Sequence, residues 1–134
     1  MSPTLINPPD LPEAIGFSHA AVAPAGPTIY LAGQSGHRAD GSIEVGLLAQ
    51  FAQACKNVAI ALESAGAARD NLVSLHIFVT DAASYRGLRK ELGQAYREVF
   101  GHHYPAMALF EVKGLFDPEA VVELVGIAVL SPDA

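Results

Sequence analysis

The sequence predicts a single domain of the two-layer α+β class, with a mixed sheet and two helices on one face of the sheet. The chain has 134 residues, 51% of them hydrophobic, which fits one domain over residues 1–134 with a core of its own. Apolar periodicity predicts elements in the order strand, strand, helix, strand, helix, strand, strand. This order is typical of helices packed on one side of a sheet.

The first half of the chain is predicted to supply two strands and one helix. Residues 1–16 contain four prolines and are expected to form an extended lead-in. Residues 19–23 and 28–32 flank a Pro-Ala-Gly-Pro turn, which predicts a hairpin. Residues 46–65 repeat apolar side chains at three- and four-residue steps, as an amphipathic helix does. Gln50 is assigned to the polar part of that helix.

The second half is predicted to supply a strand over residues 72–80, a helix over residues 83–100, and strands over residues 106–112 and 121–130. The last strand is apolar on both of its faces, a pattern typical of sheets covered on both sides. Two helices can cover only one face. We therefore expect another subunit to cover the second face, which predicts an obligate oligomer.

Charge and composition exclude several classes of function. The formal net charge is −6, and no basic cluster interrupts it, so nucleic acid is not an expected partner. Cys55 is the single cysteine, and no zinc spacing, phosphate loop or dinucleotide fingerprint occurs, so neither a metal nor a cofactor is expected. The N-terminal residues lack a signal-peptide pattern and no apolar run is long enough for a membrane span. We expect a cytoplasmic protein that does not associate with membranes.

Glu123 is the main candidate for chemistry because it lies in the middle of an apolar strand. An ionised carboxylate is costly to bury without a partner. It either reaches water or an arginine at the strand end, or serves in an intersubunit cleft as a proton carrier or water-orienting base. Glu111 has a similar position in its own strand, but a turn follows soon after it, which favours exposure.

The histidines are weaker candidates. His102 and His103 are adjacent and would project differently, so contacts with the carbonyls of the preceding helix are favoured over metal binding. His76 is expected to lie on a sheet face. His37 and Arg38 follow a Gly-Gln-Ser-Gly segment; a solvated loop is favoured, although both residues could reach a ligand.

Several short segments occur in a characteristic order between about Phe17 and Leu130. They are residues 29–34 (IYLAGQ), 53–58 (QACKNV), 65–66 (AG), 75–81 (LHIFVTD), 96–100 (YREVF), 104–106 (YPA), 122–123 (VE) and 127–129 (IAV). In this order and spacing they resemble the Rid family (YjgF/YER057c/UK114, also called the endoribonuclease L-PSP family). The resemblance implies a chorismate-mutase-like fold and a homotrimer with clefts between its subunits, in agreement with the uncovered sheet face.

The resemblance also implies an activity and site residues. The best-known Rid proteins hydrolyse reactive enamine and imine intermediates such as 2-aminoacrylate to a 2-keto acid and ammonia, without a cofactor. Glu123 matches a family glutamate that helps to position water, and Gly33 and Gln34 match a substrate-binding segment. Met107 occupies the position of an arginine that holds the substrate carboxylate. Together, Met107 and Glu123 are predicted to line one wall of the cleft.

Three further substrate-binding positions depart from the family pattern. Phe17 stands where a tyrosine is usual, Ala32 where a serine is usual, and Leu109 where a cysteine is frequent. Because the thioether of Met107 cannot bind a carboxylate by charge, the resemblance implies a changed substrate preference, towards a less charged or bulkier ligand. Arg38 is a candidate for the missing cation.

Three functions follow, in order of preference. The first is a small-molecule hydrolase or deaminase acting on an imine, enamine or related carbonyl compound, with Glu123 orienting water. The second is a non-catalytic, trimeric small-molecule-binding protein, such as a sensor or a chaperone-like protein, which the residue at Met107 favours. The third is a ribonuclease, against which the acidic charge argues.

Overall fold

A computed structural model describes residues 2–131 of the chain. Within this range three short strands come first, and longer helices and strands follow them. They are β1 (Thr4–Ile6), β2 (Ala20–Val22), β3 (Thr28–Tyr30), α1 (Leu47–Ser64), a 3-10 turn (Arg69–Asn71), β4 (Leu72–Val79), α2 (Ala82–Gly87), α3 (Arg89–Phe100), β5 (Ala106–Glu111) and β6 (Val122–Val129). None of the described helices is long and apolar enough to cross a bilayer.

The main sheet has four strands in the order β3, β6, β4, β5. β6 lies antiparallel to both β3 and β4, whereas β4 and β5 are parallel. Parallel neighbours need a long crossover connection, and α2 with α3 provides it. Buried side chains of α1 and α3, together with the partly buried Ala82 and Tyr85 of α2, cluster with those of one sheet face, so the predicted two-layer α+β fold with a mixed sheet is confirmed.

The core lies between this sheet face and α1. Leu75 and Val79 on β4, and Val122 and Leu124 on β6, are fully buried there. Phe51 packs against them from α1 and is 1% exposed. The alternation predicted for the two long strands is therefore correct, and the residues between these positions face the other side of the sheet.

Gln50 was assigned to the polar part of α1, but it is only 2% exposed. Its amide nitrogen donates to the carbonyl oxygens of Glu44 and Glu119, at 3.0 and 2.9 Å, and its amide oxygen accepts the N–H of Val121 at 2.8 Å. The assignment was wrong because helical periodicity does not register backbone groups that satisfy a buried amide. These bonds hold the segment before β6 against α1.

The predicted hairpin between residues 19–23 and 28–32 does not form. β2 pairs with β1 in a separate two-stranded sheet, and β3 pairs with β6. Pro24 and Pro27 lie between the two segments and have no N–H to donate, which weakens a ladder next to this turn. The residue after β6, Leu130, instead donates its N–H to the carbonyl of Pro27 at 2.9 Å.

The predicted helix over residues 83–100 is divided at Leu88 into α2 and α3. Gly87 ends α2, and Leu88 departs from helical geometry with φ −108° and ψ 13°. Glycine lowers helix propensity by about 1 kcal/mol relative to alanine, so it is a natural position for this break. Asp81 caps α2, and its carboxylate accepts hydrogen bonds from the N–H groups of Ala83 and Ser84.

The second face of the sheet, here called the open face, carries side chains from all four strands. They are Tyr30, Ser74, His76, Phe78, Ala106, Ala108, Phe110, Glu123, Val125 and Ile127. The rings of Phe78 and Phe110 stack with centroids 5.3 Å apart, and His76 meets Phe110 edge-on at 5.7 Å. Tyr30 is 78% exposed and Phe110 44% exposed, so this face is apolar and open in the single chain.

Replacing Asp81 with alanine is expected to lower the urea midpoint of unfolding. The hydroxyl and the N–H of Ser84 hold the pKa of this carboxyl below its ordinary 3.8. Since the pKa is lowered in the folded state, the stabilisation is complete above about pH 3.8 and is lost as the pH falls through the folded-state value. Urea unfolding from about pH 6 to about pH 2.5 should show the wild-type and Asp81→Ala midpoints converging.

The matched control is Asp81→Asn, because asparagine caps a helix without a charge. This variant should keep most of the stability of the wild type and lose only the part of the pH dependence that Asp81 contributes, because the lowered pKa values of Asp40 and Asp117 remain. An Asp81→Ala midpoint equal to that of the wild type at pH 6 would contradict the assigned cap.

Candidate functional site

The segment after β3 runs on beside β6 and reaches the middle of that strand. Leu31 donates its N–H to the carbonyl of Gly126 at 3.1 Å. Gln34 and Leu124 then exchange two backbone hydrogen bonds, of 2.8 and 2.9 Å. Because side chains alternate along a strand, the residue next to Leu124 projects on the open face beside this segment. That residue is Glu123.

Glu123 is half-buried and in close contact with the segment. A Cβ atom at Gly33 would lie 2.6 Å from its Oε2, so glycine is required for the carboxylate to occupy this position. The hydroxyl of Ser35 donates to Oε1 at a long 3.4 Å. Among the described residues the N–H of Gly33 donates no hydrogen bond. A carboxylate therefore lies beside a backbone donor that a ligand can use.

Asn57 on α1 holds the segment from the other side. Its amide nitrogen donates to the carbonyl oxygens of Ser35 and His37, at 3.1 and 2.8 Å. Gln53, one turn earlier on the helix, donates to the amide oxygen of Asn57 at 3.0 Å and so fixes its orientation. The position of Ser35 next to Glu123 thus depends on a helix in the opposite layer.

His37 and Arg38, for which a solvated loop was favoured over contact with a ligand, have intramolecular partners. The guanidinium of Arg38 lies 2.7 Å from the carboxylate of Glu44 and donates to the hydroxyl of Ser42 at 2.8 Å. His37 lies 2.8 Å from Asp117. The pKa of Asp117 is lowered by the backbone N–H of Glu119 and then by His37. Arg38 is therefore paired within its own loop, and nothing in the single chain brings it to Met107.

Met107 lies in a different environment. It is opposite Leu75 in the β4–β5 register, so its side chain faces the helices. It lines a cavity of about 310 Å³ between β5, α3 and the chain at Ile15 and Gly16. The remaining lining residues come from both layers. They are Phe51, Ile77, Tyr85, Arg89, Leu92, Gly93, Tyr96, Arg97 and Tyr104.

The remaining predicted substrate-binding residues are dispersed. Leu109 shares the helix-facing side of β5 with Met107 and is 39% exposed. Phe17 is half-buried and packs edge-on against His19, with ring centroids 5.1 Å apart. Ala32 is exposed at the start of the segment that passes Glu123.

The sequence predicted that Met107 and Glu123 line one wall of the cleft. Within one chain they do not lie on a common wall. Glu123 is opposite Phe78, and Met107 is opposite Leu75. Three positions along β4 separate these two residues, and directly paired residues share a face, so the two side chains project on opposite faces. The predicted set forms two groups in a single chain, and only a second chain could join them.

A model of the endoribonuclease L-PSP family matches residues 10–130 of this chain. The chain belongs to this family. A RutC family protein of Aquifex aeolicus is 32% identical over 126 residues, which cover 91% of this chain and 97% of that protein. The resemblance inferred from the ordered segments is confirmed.

Two solved structures of Rid proteins share the fold. YyfB of Yersinia pestis superposes with a TM-score of 0.86 at 32% identity, covering 97% of this chain and 100% of its own. RidA of the Antarctic bacterium Psychrobacter sp. superposes with a TM-score of 0.69 at 26% identity, covering 95% of this chain and 99% of its own. The likeness thus includes the strands that carry Glu123 and Met107.

Other candidates in this Rid-family chain have structural roles. Glu111 accepts the N–H of Ala82 at 2.9 Å, at the start of α2. Burial raises the pKa of the Cys55 thiol to about 12, which keeps it protonated and unreactive. A ring nitrogen of His103 lies 2.8 Å from the carbonyl of Leu72. Within residues 2–131 no group of His, Cys, Asp or Glu is arranged to hold a metal ion.

Sequence reasoning missed Ser35 and Asn57. Asn57 lies inside one of the family segments, four residues after Gln53, which is the spacing of facing side chains on a helix. That spacing was a usable signal for a polar contact. The groups that Asn57 binds are the backbone carbonyls of Ser35 and His37, in a loop distant in the sequence. A backbone carbonyl gives no signal in the sequence.

Gly33→Ala is expected to displace the Glu123 carboxylate and to lower the stability slightly, by less than the roughly 1–3 kcal/mol of overpacking in a core, because the end of a flexible side chain can shift. The same change in a Glu123→Ala background should cost much less, since nothing then occupies that space. A double-mutant cycle measured by urea unfolding at fixed protein concentration tests this coupling.

Gly114→Ala is the matched control, because a Cβ at Gly114 meets no atom within 4 Å. Additive effects of the changes at positions 33 and 123 would show that the two residues do not contact each other.

Proposed function

We propose that this protein is a hydrolase or deaminase that acts on a small imine, enamine or related carbonyl compound in a cleft between subunits, with a substrate preference altered at Met107. The observation that carries the proposal is the position of Glu123. It is a half-buried carboxylate beside the unused N–H of Gly33, on the open face of the sheet.

Hydrolysis of an imine needs water to lose a proton as its oxygen bonds to the imine carbon. The Glu123 carboxylate accepts that proton and delivers it to the nitrogen. The hydroxyl proton of the resulting carbinolamine then moves to its nitrogen as the carbon–nitrogen bond breaks, which releases ammonia and leaves a carbonyl compound. An enamine enters the same route after a proton is added to its carbon. Each step moves only protons and one molecule of water, so no oxidant or reductant is required.

A second copy of the chain completes the cleft in this proposal. The open face presents Phe78, Phe110 and Tyr30, and an apolar face of this kind is stabilised when another subunit covers it. A homotrimer in the cytoplasm is the assembly that we infer from the family resemblance. It would bring the Glu123 of one copy to the Met107 cavity of another.

A non-catalytic small-molecule-binding protein is the second candidate. The observation that favours it is Met107, which supplies an apolar thioether where an arginine is expected to hold a carboxylate. The cavity beside Met107 could bind a ligand without Glu123 taking part. Binding without turnover would then be the outcome.

Ribonuclease activity is the third candidate. A 31% identical protein of Entamoeba histolytica, whose structure superposes with a TM-score of 0.69, is described as a putative endoribonuclease. The net charge of −6 disfavours contacts with the phosphate backbone. RNA cleavage that is abolished by Glu123→Gln would raise this candidate to first place.

Glu123→Gln is expected to lower imine hydrolysis by about 100-fold or more, in the range of general-base contributions. Imines generated in situ by an amino acid oxidase from a panel of amino acids would be the substrates, with release of ammonia as the measurement. Glutamine keeps the size of the side chain but cannot accept the proton of water.

Glu63→Gln is the control, since Glu63 lies on α1 and is paired with Arg69, in the helical layer. Unchanged turnover of every responsive substrate in Glu123→Gln would remove the proposed role. Ligand binding without turnover in the wild type would select the second candidate.

The mass in solution is expected to be three times 14.0 kDa. Phe110→Asp places a charge on the open face and should lower the mass, whereas Ile60→Asp, on α1 and 60% exposed, should leave it unchanged. Light scattering coupled to size-exclusion chromatography measures both. A wild-type mass of 14.0 kDa would contradict the intersubunit cleft.

A further inference from the structure

The cavity beside Met107 has an unusual charge for this protein. Arg89 and Arg97 line it, and no aspartate or glutamate among the described residues does. The chain as a whole carries a formal charge of −6. Two cations without a carboxylate at one cavity therefore mark a local site for an anion.

Neither arginine has a partner in the part of the chain that the structure describes. Arg38 and Arg69 lie within 4.0 Å of a carboxylate, in pairs with Glu44 and Glu63. Arg89 and Arg97 form no ion pair and donate no hydrogen bond within residues 2–131. Their guanidinium groups are therefore available to a ligand.

Gly93 gives Arg97 its position over the cavity. Gly93 lies inside α3, where glycine costs about 1 kcal/mol relative to alanine. A Cβ atom there would lie 3.1 Å from Nη1 of Arg97, one turn further along the helix. The missing side chain thus leaves the space in which the guanidinium folds back along the helix.

The other walls are apolar and aromatic. Met107 and Leu92 supply aliphatic contacts, and a methionine side chain adapts to ligands of different shapes. Tyr96 donates its hydroxyl to the carbonyl of His103 at 2.6 Å and is fixed. Burial raises the pKa of Tyr85 to about 12, so its hydroxyl stays protonated and can donate to an acceptor. The volume of about 310 Å³ is at the lower end of the range for ligand sites.

We propose that Arg97, with Arg89, binds the carboxylate of the substrate from helix α3, and that Met107 contacts the apolar part of the same molecule. The cation lost from position 107 on β5 is supplied by the neighbouring helix. The substrate class is then a small imino or enamino acid with an aromatic or branched apolar side chain. The assignment of this carboxylate to a substrate rests on the function proposed above, whereas the binding of an anion does not.

Calorimetric titration with phenylpyruvate and with its neutral amide tests the proposal. Phenylpyruvate carries the carboxylate and the apolar ring, and it is a stable product of the proposed reaction class. The wild type should bind the acid at least tenfold more tightly than the amide. Arg97→Gln should weaken binding of the acid by tenfold or more and leave binding of the amide unchanged. Arg97→Lys, which keeps the charge without the bidentate geometry, should lie between them.

Lys90→Gln is the matched control, because it removes one positive charge from the same helix at a residue outside the cavity. It should bind the acid as the wild type does, and thermal unfolding should show that all the variants are folded. Equal binding of acid and amide by the wild type, equal binding of the acid by the wild type and Arg97→Gln, or no binding of either probe by the wild type overturns the proposal.

Glu123→Gln separates this inference from the proposed function. That variant should still bind phenylpyruvate through Arg97 although its turnover is lost. Arginine-dependent binding in a wild type that hydrolyses no imine would refute the hydrolase and leave the anion site standing. Turnover that depends on Glu123 but not on Arg97 would support the hydrolase and overturn the role of Arg97 in binding the substrate.

Discussion

The two hydrogen bonds between Gln34 and Leu124 determine where the candidate chemistry lies. They extend the pairing of β3 with β6 beyond the end of β3, and so carry Gly33 and Ser35 to the side chain of Glu123. Without this extension the segment would be a surface loop, and Glu123 would be a half-exposed carboxylate on a sheet. Because backbone groups form the contact, its geometry does not depend on the identity of residue 34.

Local patterns predicted what depends on neighbouring residues. The periodicity of α1 predicted the side of the helix that fills the core, apart from Gln50, since the same side chains that set the pattern also fill the core. The prediction of a β2–β3 hairpin was wrong because a strand can also pair with strands that are distant in the sequence. β3 pairs with β6 instead of β2. The assignment of Gln50 was wrong for the same reason, since two of its three partners, Glu119 and Val121, come from a distant part of the chain.

For the candidate site too, single positions could be predicted from the sequence and contacts between distant residues could not. The resemblance of the ordered segments identified Glu123 and the exchange at Met107, because each is a single position within that order. It could not show that Arg38 is paired with Glu44, or that Arg97 folds over Gly93, because both follow from tertiary contacts. A search for the missing cation along the sequence therefore led to a loop, whereas the structure points to helix α3.

Strand geometry separates Met107 from the Glu123 segment within a single chain. Met107 lies on β5 and Gly33 follows β3, and these two strands are the opposite edges of the main sheet. Within one chain the sheet itself separates them, since Met107 and Glu123 project on different faces. If the copies met edge to edge in a closed ring, the β5 edge of one copy would lie next to the β3 edge of the following copy. Such a ring would join the Met107 cavity of one chain to the Glu123 segment of the next without any change within either chain. Closure of the ring would then cover the exposed apolar face and assemble the site in a single step.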